Sequence, residues 1–133
     1  MVKFVVSLIL AVMATTAGLT WAEERAKPVY YTMNPPFVTN FGQGKKKLSY
    51  VKTEISLRTL SADHLEMIKV HEPLIRHQIV MLLSRQTHKE MGLRTSQETI
   101  RVAAFTAASE AVSEEIGDNP IEDLLFTSFL VQH

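Results

Sequence analysis

Apolar and polar positions alternate most clearly between Lys46 and Leu60. Val51, Thr53, Ile55, Leu57 and Thr59 fall on one face, and Lys52, Glu54, Ser56 and Arg58 on the other. A period of two predicts a half-buried antiparallel strand with its polar face toward water. Phe37 to Phe41 reads as a shorter strand, and Gly42-Gln43-Gly44 as the turn that makes the two a hairpin, because glycine tolerates positive φ. Upstream, Tyr30-Tyr31 leads to Asn34-Pro35-Pro36. Two prolines enforce extended chain and remove amide donors, which predicts a lead-in segment or a sheet edge rather than a central strand. Ile121 to Gln132 is apolar on both faces, with Leu124, Phe126 and Leu130 pointing one way and Leu125, Phe129 and Val131 the other. Runs of that kind mark strands covered on both sides, and an apolar chain end is expected to be tied into a sheet. This segment is therefore expected to be a central or well-covered strand on which the domain closes.

Between the strands the period changes to that of a helix. Ser61 is a good N-cap, with Asp63 in the first turn where the helix dipole favours an anion. Leu65, Met67 and Ile68 face inward. Pro73 either kinks this helix or ends it and restarts a second one from its own first position. Leu74, Ile75, Ile79, Leu82 and Leu83 continue the stripe to about Gln86. Met91 to Arg94 reads as a connection, and Thr95-Ser96-Gln97-Glu98 as a capping box. Ile100, Ala103, Ala104, Ala107, Ala108 and Ala111 then form a flat helix face, and Gly117 followed by Asp118-Asn119-Pro120 stops the helix. The order predicts a small α+β domain, one antiparallel sheet with helices on one face.

Residues 1–22 stand apart. Phe4 to Ala22 is uncharged, Lys3 precedes it, and Glu23, Glu24, Arg25 and Lys27 follow. The stretch is close to the about 20 residues that span a bilayer core, with Lys3 favouring a cytoplasmic N-terminus. The competing reading is a signal peptide with Phe4 to Ala14 as its apolar centre and Thr20 and Ala22 at the cleavage site. Either reading carries the rest of the chain across the membrane. Residues 23–29 form a linker, and residues 30–133 form the exported domain.

Composition narrows the chemistry. The 133 residues suit one domain, and 14 basic residues balance 14 acidic ones. Only Lys3 among the basic residues precedes Glu23, so the domain is near neutral and carries no electrostatic footprint for nucleic acid. The chain contains no cysteine, which removes disulfides and thiolate ligands. Lys45-Lys46-Lys47 beside Gly42 and Gly44 lacks the spacing of a phosphate-binding loop and reads as a solvated turn. His71 and His77 are about 120° apart around a helix, with Pro73 between them. His64 and His71 can share a face but have no third ligand close in sequence. The histidines are expected on polar helix faces, without a metal. Glu114, Glu115, Asp118, Glu122 and Asp123 cluster at a helix end and loop, where solvation accounts for them. No residue pattern argues for an enzyme or a cofactor.

Several segments resemble the FliL family of flagellar basal-body-associated proteins. They are Tyr31 with Pro36-Phe37-Val38-Thr39-Asn40, Tyr50 to Leu57, Pro73 with Ile75-Arg76 and Leu82-Leu83-Ser84, Leu93-Arg94-Thr95, and Asp123 to Gln132. The resemblance implies a non-enzymatic, single-pass inner-membrane protein whose periplasmic domain is of the stomatin/prohibitin type. It implies association with the flagellar motor and its stator units, self-association into rings, and support of torque, swimming or swarming, with links to chemotaxis. The short N-terminal tail and linker depart from the family's pattern. They keep open a soluble periplasmic protein after cleavage, and a divergent interaction or ligand-binding module unrelated to the stator. Contact residues expected for the motor role are Glu24, Arg25 and Lys27 in the linker, with Tyr30, Tyr31 and Phe37 in the lead-in segment.

Overall fold

The computed structural model describes residues 27–44 and 49–133. In chain order the elements are β1 (Val29–Thr32), β2 (Phe37–Phe41), β3 (Ser49–Thr59), α1 (Ala62–Val70), α2 (Glu72–Ser84), α3 (His88–Gly92), α4 (Arg94–Ile116) and β4 (Asp123–Gln132). The proposed anchor or signal peptide and most of the linker lie outside the described residues. Among the described residues no helix is long and apolar enough to cross a membrane.

β3 is the hub of an antiparallel sheet. The expected inner face holds, with Val51, Thr53, Ile55, Leu57 and Thr59 fully buried; on the outer face Lys52 and Glu54 are exposed as expected, but Ser56 is buried and Arg58 half-buried. One side of β3 takes β1 and β2 in succession, from Val29 opposite Thr59 to Thr32 opposite Ser56, then from Phe37 opposite Thr53 to Phe41 opposite Ser49. Between them Met33 N–H still donates to Ile55 O at 2.9 Å, and the chain then leaves the ladder at the prolines, through a cis Asn34–Pro35 bond. Removal of the proline donors accounts for that interruption. The lead-in segment is thus an edge, as its prolines predict.

The other side of β3 takes β4, and β4 pairs with β3 alone among the described residues. The final strand is therefore an edge strand, not the central one its apolar run suggests. Its faces also differ from simple alternation. Ser128 lies opposite Glu54 and Phe126 opposite Ile55, which leaves Thr127 as the extra residue of a β-bulge. One inserted residue shifts every later side chain to the opposite face. Leu124, Phe126, Phe129 and Val131 consequently pack toward the core, whereas Leu130 is 55 % exposed on the outer face.

All helices lie over the inner face. The chain folds into separate α1 and α2 helices at His71, with Pro73 in the first turn of α2, so the proline restarts a helix rather than kinking one. Ser61 caps α1 as expected, its Oγ accepting from His64 N–H at 3.1 Å. Ile68, Ile75, Ile79 and Leu83 meet the sheet's apolar face in one core, and α4 packs its alanine face against α2 and β4. Gly117, in the left-handed region at φ 73°, ends α4 as predicted.

The capping box forms one helix earlier than the sequence suggests. Thr87 caps α3, accepting from Glu90 N–H at 3.2 Å while Glu90 Oε2 accepts from Thr87 N–H at 2.8 Å. The segment before α4 is thus a short helix with Met91 in the core, not a plain connection. α4 begins at Arg94 with no side-chain cap, and Glu98 pairs instead with Arg101. Both Thr-x-x-Glu runs fit the pattern, and the ion pair with Arg101 draws the second one off. We expect Thr87→Ala to lower the unfolding free energy by about 1 kcal/mol and Thr95→Ala by a few tenths at most. Urea titration of both variants checks this; equal losses would contradict the assignment.

Candidate interaction surfaces

Three regions present surface that the core does not consume. The first is the lead-in segment. Tyr31 is half-buried, and its hydroxyl donates to Glu72 Oε2 at 2.5 Å. Arg76 bridges the same carboxylate at 3.1 Å and Pro35 O at 2.9 Å, with its guanidinium 4.3 Å from the centre of the Phe37 ring. The α2 helix thereby holds the proline segment in place through charge-assisted bonds and a cation–π contact. Phe37 is 1 % exposed and belongs to the core, whereas Tyr30 is 55 % exposed and Lys27 is open to solvent. Glu24 and Arg25 lie outside the described residues.

The second region is the outer face of the sheet, which no described helix covers. Val38, Lys52 and Leu130 form one cross-strand row, and Tyr50 flanks it between Asn40 and Gln132. Val38 is 62 % and Tyr50 42 % exposed. Cross-strand neighbours at this spacing form one contiguous patch. The bulge at Thr127 brings Leu130 into it, which is why strict alternation places that residue on the same face as Leu124.

The third region is the free edge of β4. From Leu124 to Gln132 it carries no charged side chain, although exposed edges are ordinarily guarded by charges, prolines or coverage. Among the described residues its start is closed. Arg101 Nη1 donates to Asp123 Oδ1 at 2.8 Å and to Leu124 O at 2.9 Å, and Glu98 takes the rest of the guanidinium. The hydrogen bond to Glu98 above all keeps Arg101 protonated, its pKa raised from an already high value. The bulge guards the middle of the edge by increasing local twist. The signal available in the sequence was the surplus of apolar residues on both faces of this segment.

His64, His71 and His77 do not converge. His64 Nε2 lies 3.5 Å from Asp118 Oδ2, His71 is the residue between α1 and α2, and His77 is exposed. No group of three or more potential ligands comes together among the described residues.

The fold and these surfaces define a small α+β domain whose available features are faces and an edge suited to contact with other chains. Residues 30–132 match the family described as flagellar basal body-associated protein FliL, and the chain belongs to that family. It is 23 % identical over 104 residues to the flagellar protein FliL of Aquifex aeolicus (strain VF5), a match covering 78 % of this chain and 62 % of that relative. The chain thus spans less than two thirds of the relative's length. The family resemblance drawn from scattered motifs is the family found, a flagellar accessory family and not a known enzyme family.

The Tyr31–Glu72 bond gives a pH signature. Donation to Glu72, then burial, raises the phenol above its ordinary value of 10.0. A raised pKa means the contribution to stability is complete below the unfolded value and is lost as pH rises through the folded one. We expect Tyr31→Phe to cost about 1 kcal/mol at neutral pH, with the gap to wild type closing above pH 10.0. Denaturant unfolding at neutral and alkaline pH checks this; an unchanging gap would contradict it.

Proposed function

We propose that this protein supports the flagellar motor by making contacts, without catalysis. The observation that carries the reading is the family match over residues 30–132. The uncovered outer face and the uncharged β4 edge support it, because both are surfaces for protein contact. In this reading the domain lies in the periplasm, held by residues 1–22 as a single inner-membrane span or released by cleavage. It has the role of a stomatin/prohibitin-type module at the basal body, assisting stator function, torque and swimming or swarming motility.

Copies associate into a ring through sheet edges, with β4, Leu130 included, supplying one side of each contact. The motor component meets the membrane-proximal end: Glu24, Arg25 and Lys27 from the linker, and Tyr30 from the lead-in strand. Tyr31 and Phe37 serve that surface from behind, through the Glu72 and Arg76 contacts that hold the segment.

Deletion of the gene tests the role. The expected result is a normal number of filaments with reduced soft-agar spreading. Complementation with Lys27→Glu combined with Tyr30→Ala is expected to restore protein level but not spreading. Normal spreading of the deletion strain at low and high load would count against the motor role. It would favour a divergent periplasmic interaction or ligand-binding module.

A further inference from the structure

The pole of the sheet farthest from Val29 carries a cleft that the motor reading does not use. Val29 pairs with Thr59 and Phe41 with Ser49, so the turn after β2 lies at the opposite end of β3 from the start of β1. There Gly42 and Gln43 face the segment from Arg85 to Lys89 across a cavity of about 420 Å³. Its size is in the range of ligand-binding clefts.

The walls of this cleft are fixed in advance. Gly42 N–H donates to Gln86 O at 3.1 Å and ties the turn to the end of α2. The His88 imidazole presses so close to Gly42 that a Cβ there would lie 1.9 Å from the ring, and Gly42 has φ 72°. His88 Nε2 is 3.0 Å from Ser49 Oγ, and its ring lies 5.2 Å from the tilted Phe41 ring and stacks on that of His133 at 6.1 Å. A site held this way loses little freedom when it is occupied.

Its charge is one-sided. Arg85 and Lys89 are exposed, and among the described residues neither makes an ion pair or a side-chain hydrogen bond. Arg76 and Arg101, by contrast, each rest on carboxylates. Among the described residues no carboxylate lines the cleft. Glu90, the nearest in sequence, is occupied by the backbone and hydroxyl of Thr87, which lower its pKa. The carbonyls of Leu82 and Leu83 at the end of α2 are taken by Arg85 N–H and Gln86 N–H, and Leu82 O also by Gln86 Nε2.

We propose that this cleft binds an acidic peptide segment of a partner protein, its carboxylates meeting Arg85 and Lys89. A volume of about 420 Å³ is more than one small anion fills, and the Gln43 side chain adds polar capacity for a peptide backbone. The proposal is independent of the motor role, since the cleft lies at the other pole from Lys27 and Tyr30.

Fluorescence anisotropy with the full chain in detergent micelles tests it, using fluorescein-labelled hexaglutamate and hexaglutamine as probes. Saturable binding of hexaglutamate but not hexaglutamine is expected, weakening as salt is added. Arg85→Glu with Lys89→Glu is expected to weaken binding about tenfold or more, while Lys52→Glu with Lys69→Glu, an equal change of charge elsewhere, changes it about twofold at most. Circular dichroism confirms that both double variants keep their fold. Absence of saturable binding, or equal loss in both variants, overturns the proposal. Displacement of hexaglutamate by inorganic phosphate at matched charge overturns the peptide assignment in favour of a small anion.

Discussion

Every other element takes its position from the pairing of β3 on both sides. Its inner face is buried from Val51 to Thr59, and its two ladders hold the chain's first and last described strands. Because side chains alternate with a period of two, a slip of one residue in either ladder would turn the apolar set toward water. Burial of that face therefore sets the register of β1, β2 and β4 together. The contacts are long-range: β4 joins β3 only after four helices have intervened. The sheet is thus completed by the last part of the chain, even though its centre is formed early in the sequence.

The helix layer is fastened to the sheet at two corners by guanidinium groups. Arg76 links α2 to the proline segment through Pro35 O, Glu72 and the Phe37 ring. Arg101 links α4 to the start of β4 through Asp123 and Leu124 O. Planar guanidinium groups suit this role because they bond in several directions at once while stacking on apolar surface. Between these corners the attachment is apolar, with small alanines allowing α4 to approach closely. The sheet's other face is left without a described covering layer, and that asymmetry gives the domain its surface for contacts.

What was legible in the sequence follows from how local each cause is. The inner face of β3, the Ser61 cap, the Gly117 stop and a break of some kind at Pro73 depend on residues within a turn or on strict alternation, and they were readable. The β4 edge was not, because an apolar run looks the same whether a second strand or solvent lies beyond it. Thr127 gave no warning of a bulge, and that one residue moved Leu130 outward and Phe129 and Val131 inward. The capping box was read at Thr95, but Glu98 pairs with Arg101, and the box forms instead between Thr87 and Glu90. The contacts that hold Tyr31 and Phe37 come from Glu72 and Arg76, which lie far along the chain. The cleft at Gly42 likewise joins residues from β2 and from the end of α2, so no single segment announces it.

In the proposed function, copies of the chain meet at the outer edge formed by β4, Leu130 included. The chain has no cysteine of its own, so a single introduced thiol reports cleanly. Leu130→Cys on the β4 side, compared with Glu110→Cys on the exposed face of α4, would be cross-linked in living cells with a short bifunctional maleimide. Covalent dimers are expected from Leu130→Cys and monomer from Glu110→Cys. Monomer alone from Leu130→Cys, with dimers from Glu110→Cys, would contradict it.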